Sequence, residues 1–288
     1  MKIGIVFTCQ NRMLGNVVRH ALPSAVVENY DVGHMADPMT REAVAASCAA
    51  CDHVLSIFMP DEMGPLATDR LAASVRVLTI LPSFSFAGFH PDTVYITTAS
   101  GFLDGPTHHY HSRIAIGGFL TGRSVRQTMA LYNALVFGRL GYFETFAHER
   151  ALAVELFAHF NIGIDHFFDR WMARGCFMHS LNHPKSWAFA DLGLAMCRMA
   201  GLVDERATID PDAIIDDLAM HAAHPLLPPL ARRLGLEGST VFKHGPRGET
   251  NHLPLEDFIE REYKAFERTG RAELEAVPEL SKLLAILG

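Results

Sequence analysis

The hydrophobic positions of the first hundred residues fall into short continuous runs separated by amphipathic stretches. Ile3–Phe7 is an unbroken apolar run with the length expected of a strand buried on both faces. Met13–Ala21 then places Leu14, Val17, Val18 and Ala21 at helical spacing. Ala25–Val27 predicts a weaker second strand, Arg41–Ala50 an alanine-rich helix, and His53–Met59 a third strand that Pro60 ends. Gly64–Ala73 predicts a short helix, and Val75–Leu81 a fourth strand stopped by Pro82. Strands separated by helices of this length need right-handed crossovers, which predicts an α/β fold with a three-layer parallel sheet in the N-terminal half. In such sheets ligands sit beyond the carboxyl ends of the strands, where Cys9, Pro60-Asp61 and Pro82-Ser83 fall.

The pattern then changes. Thr93–Thr98 is strand-like, Asp104–His111 is rich in turn residues and histidine, and Arg113–Ile116 is a short strand-like run. Val125, Met129, Tyr132 and Val136 mark one face of a helix over Ser124–Phe137. Beyond Gly141 the periodicity is helical, over Phe143–Phe160, Ile164–Ala173, Lys185–Ala200, Pro211–Met220 and Leu255–Phe266. With no internal repeat and no long linker, the expected organisation is a parallel-sheet core over 1–140 and a mostly helical region over 141–288 packed on it as a cap.

Composition narrows the class. Hydrophobic residues make up 49% and charged residues 20%, enough to fill a sizeable core and too apolar for a disordered chain. The net charge of -7 without a basic tail argues against general affinity for nucleic acid or an anionic membrane. Five cysteines, Cys9, Cys48, Cys51, Cys176 and Cys197, are an odd and sparse set that does not read as a disulfide framework. The N-terminus has no signal-peptide core and no run of about 18 apolar residues occurs, so a cytoplasmic protein without a membrane span is expected.

Candidate chemistry begins at the end of the first strand. Cys9-Gln10-Asn11-Arg12 puts a cysteine and three hydrogen-bonding side chains between a buried strand and a helix start, where backbone N–H groups hold an anion or stabilise a thiolate. Many α/β acyl-handling enzymes carry a serine or cysteine nucleophile there; the plainer reading is a cysteine packed under the sheet. In Phe177-Met178-His179-Ser180-Leu181-Asn182-His183-Pro184-Lys185, either His183 or His179 can serve as a general base for Cys9. A helix starting at Pro184 removes His179 from a shared metal-binding face, so no metal site is expected. Capping or backbone bonding are the plain roles for these histidines.

Two windows lack acidic residues in this acidic chain. One, from Asp104 to Glu144, holds Arg113, Arg123, Arg126 and Arg139; the other, from Arg170 to Ala190, holds Arg174 and Lys185. They suit a phosphate-bearing ligand, or else carboxylates elsewhere in the fold pair with them. Gly117-Gly118-Phe119-Leu120-Thr121-Gly122-Arg123-Ser124 imitates a phosphate-binding loop with arginine in the lysine position, a substitution that fits that slot badly. Cys48-Ala49-Ala50-Cys51 lacks a second cysteine pair and reads as helix-end packing. His90 and Asp92 in Phe89-His90-Pro91-Asp92 orient a base, bind substrate or form a turn.

Cys9-Gln10 after strand one, Gly88–Asp92 (GFHPD), His111-Ser112-Arg113 and Asn182-His183-Pro184, in that order, resemble the WcbI family of capsular polysaccharide biosynthesis proteins, over roughly Ile3–Ala200. Phe7-Thr8 stand where that family has Gly-Asn, and Asn11 is a substitute just past the motif. The resemblance implies binding of coenzyme A or acetyl-CoA as acyl donor and transfer to a saccharide hydroxyl. It implies Arg12, Arg113, Arg123 and Lys185, beside Ser112, for the phosphates, with His183 as base, Cys9 for a covalent route, and Gln10 or Asn11 as oxyanion donors. Asp191 and Asp92 are the candidate carboxylate partners of the histidine. An ester hydrolase with the same centre, a nucleotide- or sulfuryl-donor transferase and a non-catalytic sensor of a phosphorylated ligand are the alternatives. The acceptor, the acyl group and any homo-oligomer stay open.

Overall fold

The apolar run at the N-terminus becomes an inner strand of a parallel sheet. The computed structural model describes residues 1–98, 101–244, 251–275 and 280–287. In it β1 (Lys2–Phe7), β2 (Val26–Asp31), β3 (His53–Ser56) and β4 (Leu78–Ile80) form a four-stranded sheet in the order β2-β1-β3-β4, parallel throughout. Helices α1 (Asn11–Ala21), α2 (Pro38–Ala49) and α3 (Thr68–Ser74) lie between the strands in sequence. Since β2 and β3 flank β1 on opposite sides, strand order reverses there, and the carboxyl end of β1 is where an open sheet of this kind leaves a crevice.

Ile3, Ile5, Val6 and Phe7 are fully buried, as the unbroken apolar run requires. Val6 and Val54 share a core with Val44 and Cys48 of α2 and Leu71 of α3. Cys48 and Cys51 pack over Gly4 of β1, where a Cβ would meet the Cys51 Sγ at 3.2 Å. The CxxC spacing is therefore core packing. Helix Ser186–Met199 packs on α1. Gly193 permits it, because a Cβ there would come within 2.9 Å of Val17 Cγ2.

The chain divides into two compact units, Met1–Ser85 with Leu152–Ala173 and His183–Leu218, and Phe86–Ala151 with Arg174–Asn182 and Ala219–Gly288. The first holds the sheet. In the second, Thr93–Val94 pairs antiparallel with His111–Ser112, and helices Leu255–Thr269 and Leu280–Leu287 pack on helix Arg113–Leu120.

Four local predictions differ from the structure. Arg113–Ile116 is the first turn of a helix, because Ser112 and Asp92 meet its N–H groups. Ser124–Phe137 breaks into Val125–Met129 and Ala134–Arg139, the second capped by the Asn133 side chain on the Leu135 and Val136 N–H groups. Pro211–Met220 yields only the 3-10 turns Pro211–Ala213 and Asp217–Met220, separated by extended Ile214, while Asp216 and Asp217 bond to Ser186 and Asn16. Finally, β2 continues past Val27 through the polar Glu28-Asn29-Tyr30-Asp31.

Candidate active site

Thr8-Cys9-Gln10 turns the chain from β1 into α1. The backbone N–H and the side-chain Nδ2 of Asn11 both donate to the Thr8 carbonyl at 2.8 Å, which tightens the turn. Gln10 is buried and makes a reciprocal pair with the chain beyond β4: its Nε2 donates to the Phe84 carbonyl at 2.5 Å, and the Phe84 N–H donates to its Oε1 at 3.3 Å. Phe84 is itself fixed, edge-on to Phe157 and Trp171 at 6.0 and 5.9 Å. Trp171 Nε1 donates to Asp191 Oδ2 at 2.7 Å, and Arg170 bonds the same oxygen at 2.6 Å. Gln10 thus clamps the turn to a rigid aromatic group, and Asp191 is already engaged there.

The start of α1 is open. Gln10 makes no capping bond to it and no acidic residue lies in its first turn; the Asn11 N–H is taken by the Thr8 carbonyl, so the Arg12 and Met13 N–H groups and the positive dipole end are what the helix start offers an anion. Arg12 is exposed on that turn. Cys9 is half-buried, and burial followed by the Asp31 carboxylate pushes its thiol up to about 11, against bonds from Thr8 and the local backbone. Asp31 pairs in register with Phe7, two residues before Cys9. At neutral pH Cys9 is therefore a thiol.

His183 and Lys185 belong to the same unit as Cys9. His183 is buried in the short strand His183–Pro184. The helix begins at Ser186 rather than at Pro184, with Lys185 before it and the Ser186 N–H donating to Asp216 Oδ2 at 3.3 Å. His179 lies in the other unit, in strand Met178–Ser180, where its carbonyl accepts from the His224 N–H at 3.0 Å.

Ser112, Arg113 and Arg123 also lie in the second unit, at a helix start that is closed. Asp92 Oδ1 accepts from the Ile114 N–H and the Tyr142 hydroxyl, both at 3.0 Å, and its Oδ2 accepts from the Ser112 hydroxyl. Ser112 Oγ also accepts from the Ala115 N–H at 3.0 Å and meets Tyr132 Oη at 2.6 Å. Burial raises Asp92, against the bonds it accepts. The half-buried Arg113 donates its backbone N–H to the Asp92 carbonyl at 2.8 Å. Arg123 donates from its guanidinium to the Thr121 hydroxyl and, at 2.5 Å, to the Leu287 carbonyl. Gly117 and Gly118 sit inside the helix; a Cβ on Gly117 would come within 2.5 Å of Leu287 Cδ1. The glycine-rich stretch is a packing surface, not a phosphate-binding loop after a strand.

The histidine-rich segment builds structure as well. His111 Nδ1 faces the Glu262 carboxylate at 2.9 Å and its Nε2 faces the Leu103 carbonyl at 3.1 Å. Nε2, facing a carbonyl, donates, and Nδ1 shares a proton with the buried Glu262 carboxyl, which burial raises. Burial opposes a charge on the His111 ring, but the Glu262 charge and bond outweigh it and raise His111. His224 lies between the hydroxyls of Thr93 (2.8 Å) and Thr107 (3.0 Å), and burial keeps it neutral. Among the described residues no three His, Cys, Asp or Glu side chains converge as metal ligands, and no helix is long and apolar enough to cross a membrane.

Asp31 and Phe84 are the neighbours of the turn that sequence reading missed. The signal for Asp31 was its place at a strand's carboxyl end, hidden because β2 was cut short at Val27; Phe84 bonds through its backbone, which leaves no trace in residue type.

Comparison with known proteins places these features in context. A family profile described as polysaccharide biosynthesis enzyme WcbI matches residues 2–205. A solved structure is similar with a TM-score of 0.72 at 13% identity, covering 99% of this chain and 96% of its own. It is described as WcbI, a novel polysaccharide biosynthesis enzyme, in its native form without a disulfide bond between coenzyme A and one of its cysteines. At that identity the likeness speaks for the fold. Among curated proteins no sequence matches.

Proposed function

The chain belongs to the WcbI family of polysaccharide biosynthesis enzymes, and on that premise we propose that it moves an acyl group, acetyl in the simplest case, from coenzyme A to a carbohydrate hydroxyl. The observation that carries this reading is the uncapped start of α1 beside the half-buried thiol of Cys9, at the strand-order reversal of a parallel sheet. Open N–H groups suit a phosphate or a developing oxyanion, and a neutral thiol suits contact with a thioester. The solved relative's description pairs coenzyme A with one of its cysteines; in this chain we assign that contact to Cys9.

Arg12, exposed on the first turn of α1, and Lys185, before helix Ser186–Met199, offer charge to the donor's phosphates. His183 takes the proton of the acceptor hydroxyl as its oxygen bonds to the acyl carbon, and returns it to the departing sulfur as the carbon–sulfur bond breaks. The oxyanion falls to first-turn N–H groups, since Gln10 Nε2 and Asn11 Nδ2 already donate to Phe84 and Thr8. With burial holding the Cys9 thiol up to about 11, little thiolate is present at neutral pH, which favours direct transfer over an acyl-cysteine. Ser112 and Arg123 receive no ligand role, because their polar groups serve helix ends.

The test is a thermal-shift titration with coenzyme A, joined to transfer assays. Coenzyme A raises the melting temperature. His183→Ala lowers acyl transfer by about 10²–10⁴-fold, while Cys9→Ala retains measurable transfer. Absence of any shift with coenzyme A, or full transfer in His183→Ala, removes the proposal. Complete loss of transfer in a folded Cys9→Ala protein replaces the direct route with the covalent one.

A further inference from the structure

Within the second unit, Asp104-Gly105-Pro106 and helix Leu255–Thr269 enclose an open pocket of about 210 Å³. Arg261, Lys264 and Arg268 line its helical side. They stand three and four residues apart on one helix face, over a rise of about 10 Å. All three are exposed, and none makes a hydrogen bond or an ion pair among the described residues. The same helix carries Glu256, Asp257, Glu260 and Glu267, but none of these lines the pocket. The walls are fixed from behind. His111 Nδ1 faces the carboxyl of Glu262, the neighbour of Arg261, at 2.9 Å. Gly105 lies against the His111 ring, where a Cβ would come within 2.7 Å of Cε1, and its N–H donates to the His108 carbonyl at 2.8 Å. The Pro106 carbonyl accepts from His244 Nδ1.

We propose that this pocket binds the phosphate group of a phosphorylated sugar. Three cations and the single carboxylate of Asp104 leave two positive charges at the pocket. A phosphomonoester, with about −1.5 to −2 at neutral pH, matches them, whereas a sugar carboxylate brings one negative charge. The guanidinium forks of Arg261 and Arg268 suit phosphate oxygens, and Lys264 adds a point charge. Asp104 selects what carries the phosphate. It is exposed, with His108 Nδ1 at 3.9 Å, and lines the pocket opposite the cations. A carboxylate there repels a second phosphate and accepts hydrogen bonds from hydroxyls. A single phosphate on a polyhydroxy ring therefore fits better than a diphosphate chain. Like charges at helical spacing repel one another, and a bound dianion relieves that repulsion. The walls are already in place, so little ordering opposes binding. The assignment uses residues of the second unit alone and does not depend on the acyl-transfer reading.

Titration calorimetry on the full chain at low ionic strength tests this with hexose 1-phosphates, hexose 6-phosphates, the free hexoses, glucuronate and inorganic phosphate. At least one hexose phosphate binds, and its free hexose does not. Glucuronate binds about tenfold more weakly. Arg261 and Arg268 are exposed, so Arg261→Ala/Arg268→Ala keeps the fold. That variant weakens hexose phosphate binding about tenfold or more, the effect of lost charge-assisted bonds. Asp104→Ala shifts the preference from hexose phosphate toward inorganic phosphate, because it removes the repulsion and the hydroxyl acceptor together. The proposal is overturned if no hexose phosphate binds, if glucuronate binds as tightly, or if binding survives the double substitution. An unchanged preference in Asp104→Ala also overturns it, since the sugar would then make no contact there. So does loss of a coenzyme A thermal shift in the double variant, which would give the pocket to the phosphates of that ligand.

Discussion

At α1 the first turn has no carboxylate and no capping side chain, whereas helix Arg113–Leu120 starts on Asp92 and Ser112, which occupy its N–H groups from within the fold. Both starts have the same backbone donors and the same positive dipole end. Both also have an arginine in the first turn, Arg12 and Arg113. What separates them is who supplies the negative partner. In the second unit the protein supplies it, and the result is a buried polar cluster of Asp92, Ser112, Tyr132 and Tyr142. In the first unit the Gln10 side chain bonds to Phe84 instead of capping the helix, and the place is the one we propose for the ligand. A helix start marks a candidate anion site only when the fold has not already filled it.

The largest expected effect lies at the closed start. Asp92→Ala leaves the Ile114 N–H and the Ser112 and Tyr142 hydroxyls without their acceptor in a buried place, and costs about 3–5 kcal/mol in urea unfolding. Asp92→Asn costs much less, because an amide oxygen still accepts from Ile114 and Tyr142. The sign of the pH dependence follows from burial, which raises the folded-state value of Asp92 above that of the unfolded chain. The contribution is then fully present below the unfolded value and is lost as pH rises through the folded one. Asp92→Asn accordingly flattens a decline of stability with rising pH. A cost under about 1 kcal/mol for Asp92→Ala would show the cluster to be no structural counterpart to the open site.

Next in size is the clamp at the open start. Gln10→Ala removes the partners of the Phe84 N–H and carbonyl, at a cost of about 1–3 kcal/mol. Its larger consequence is functional: the turn bearing Cys9 loosens and the coenzyme A thermal shift is lost. Measuring both quantities on Gln10→Ala and Asp92→Asn sharpens the contrast, since the first gives up ligand stabilisation and the second keeps it. The reverse pattern would exchange the roles of the two helix starts.

Legibility in the sequence followed the range of the interactions. β1 was visible because Ile3–Phe7 is a continuous, buried run, and β3 because Val54 and Leu55 are buried in a short run that Pro60 ends. The second half of β2 was not, because Glu28, Asn29 and Tyr30 are polar and half-buried, with Asn29 Nδ2 donating to the Asn11 carbonyl at 2.5 Å and Tyr30 to Glu28 at 2.9 Å. Arg113–Ile116 reads as a strand in any local window, since Asp92, which helps make it a helix, lies 22 residues before Ile114. Gly117 and Gly118 imitated a phosphate loop for a similar reason: Leu283 and Leu287, which press on Gly117, come from the far end of the chain. The turn at Cys9 stood out because polar side chains follow a buried strand directly, but the openness of its helix start depends on what does not approach it, and a single sequence does not record that. The interleaving of segments between the two units is equally absent from any linear reading.

The smallest expected effect concerns the charge of Cys9, and it bears on the route. Alkylation of Cys9 by iodoacetamide, followed peptide by peptide in mass spectra, gives a rate that rises with pH toward a midpoint near 11 instead of the ordinary thiol value of about 8.5. Burial is the first cause and survives any change at Asp31. Asp31→Asn removes only the second cause, so the midpoint falls by a fraction of a pH unit; the amide oxygen still accepts from the Gly33 N–H, as the carboxylate does at 2.9 Å. The linkage has the same sign as at Asp92. A thiol raised in the folded state contributes stability that is present below the unfolded value and is lost as pH rises toward 11. A midpoint at or below 8.5 in the wild type would mean that the open helix start holds a preformed thiolate, its dipole outweighing both burial and Asp31. The negative partner would then be the protein's own sulfur, the contrast between the two helix starts would narrow, and an acyl-cysteine intermediate would displace direct transfer.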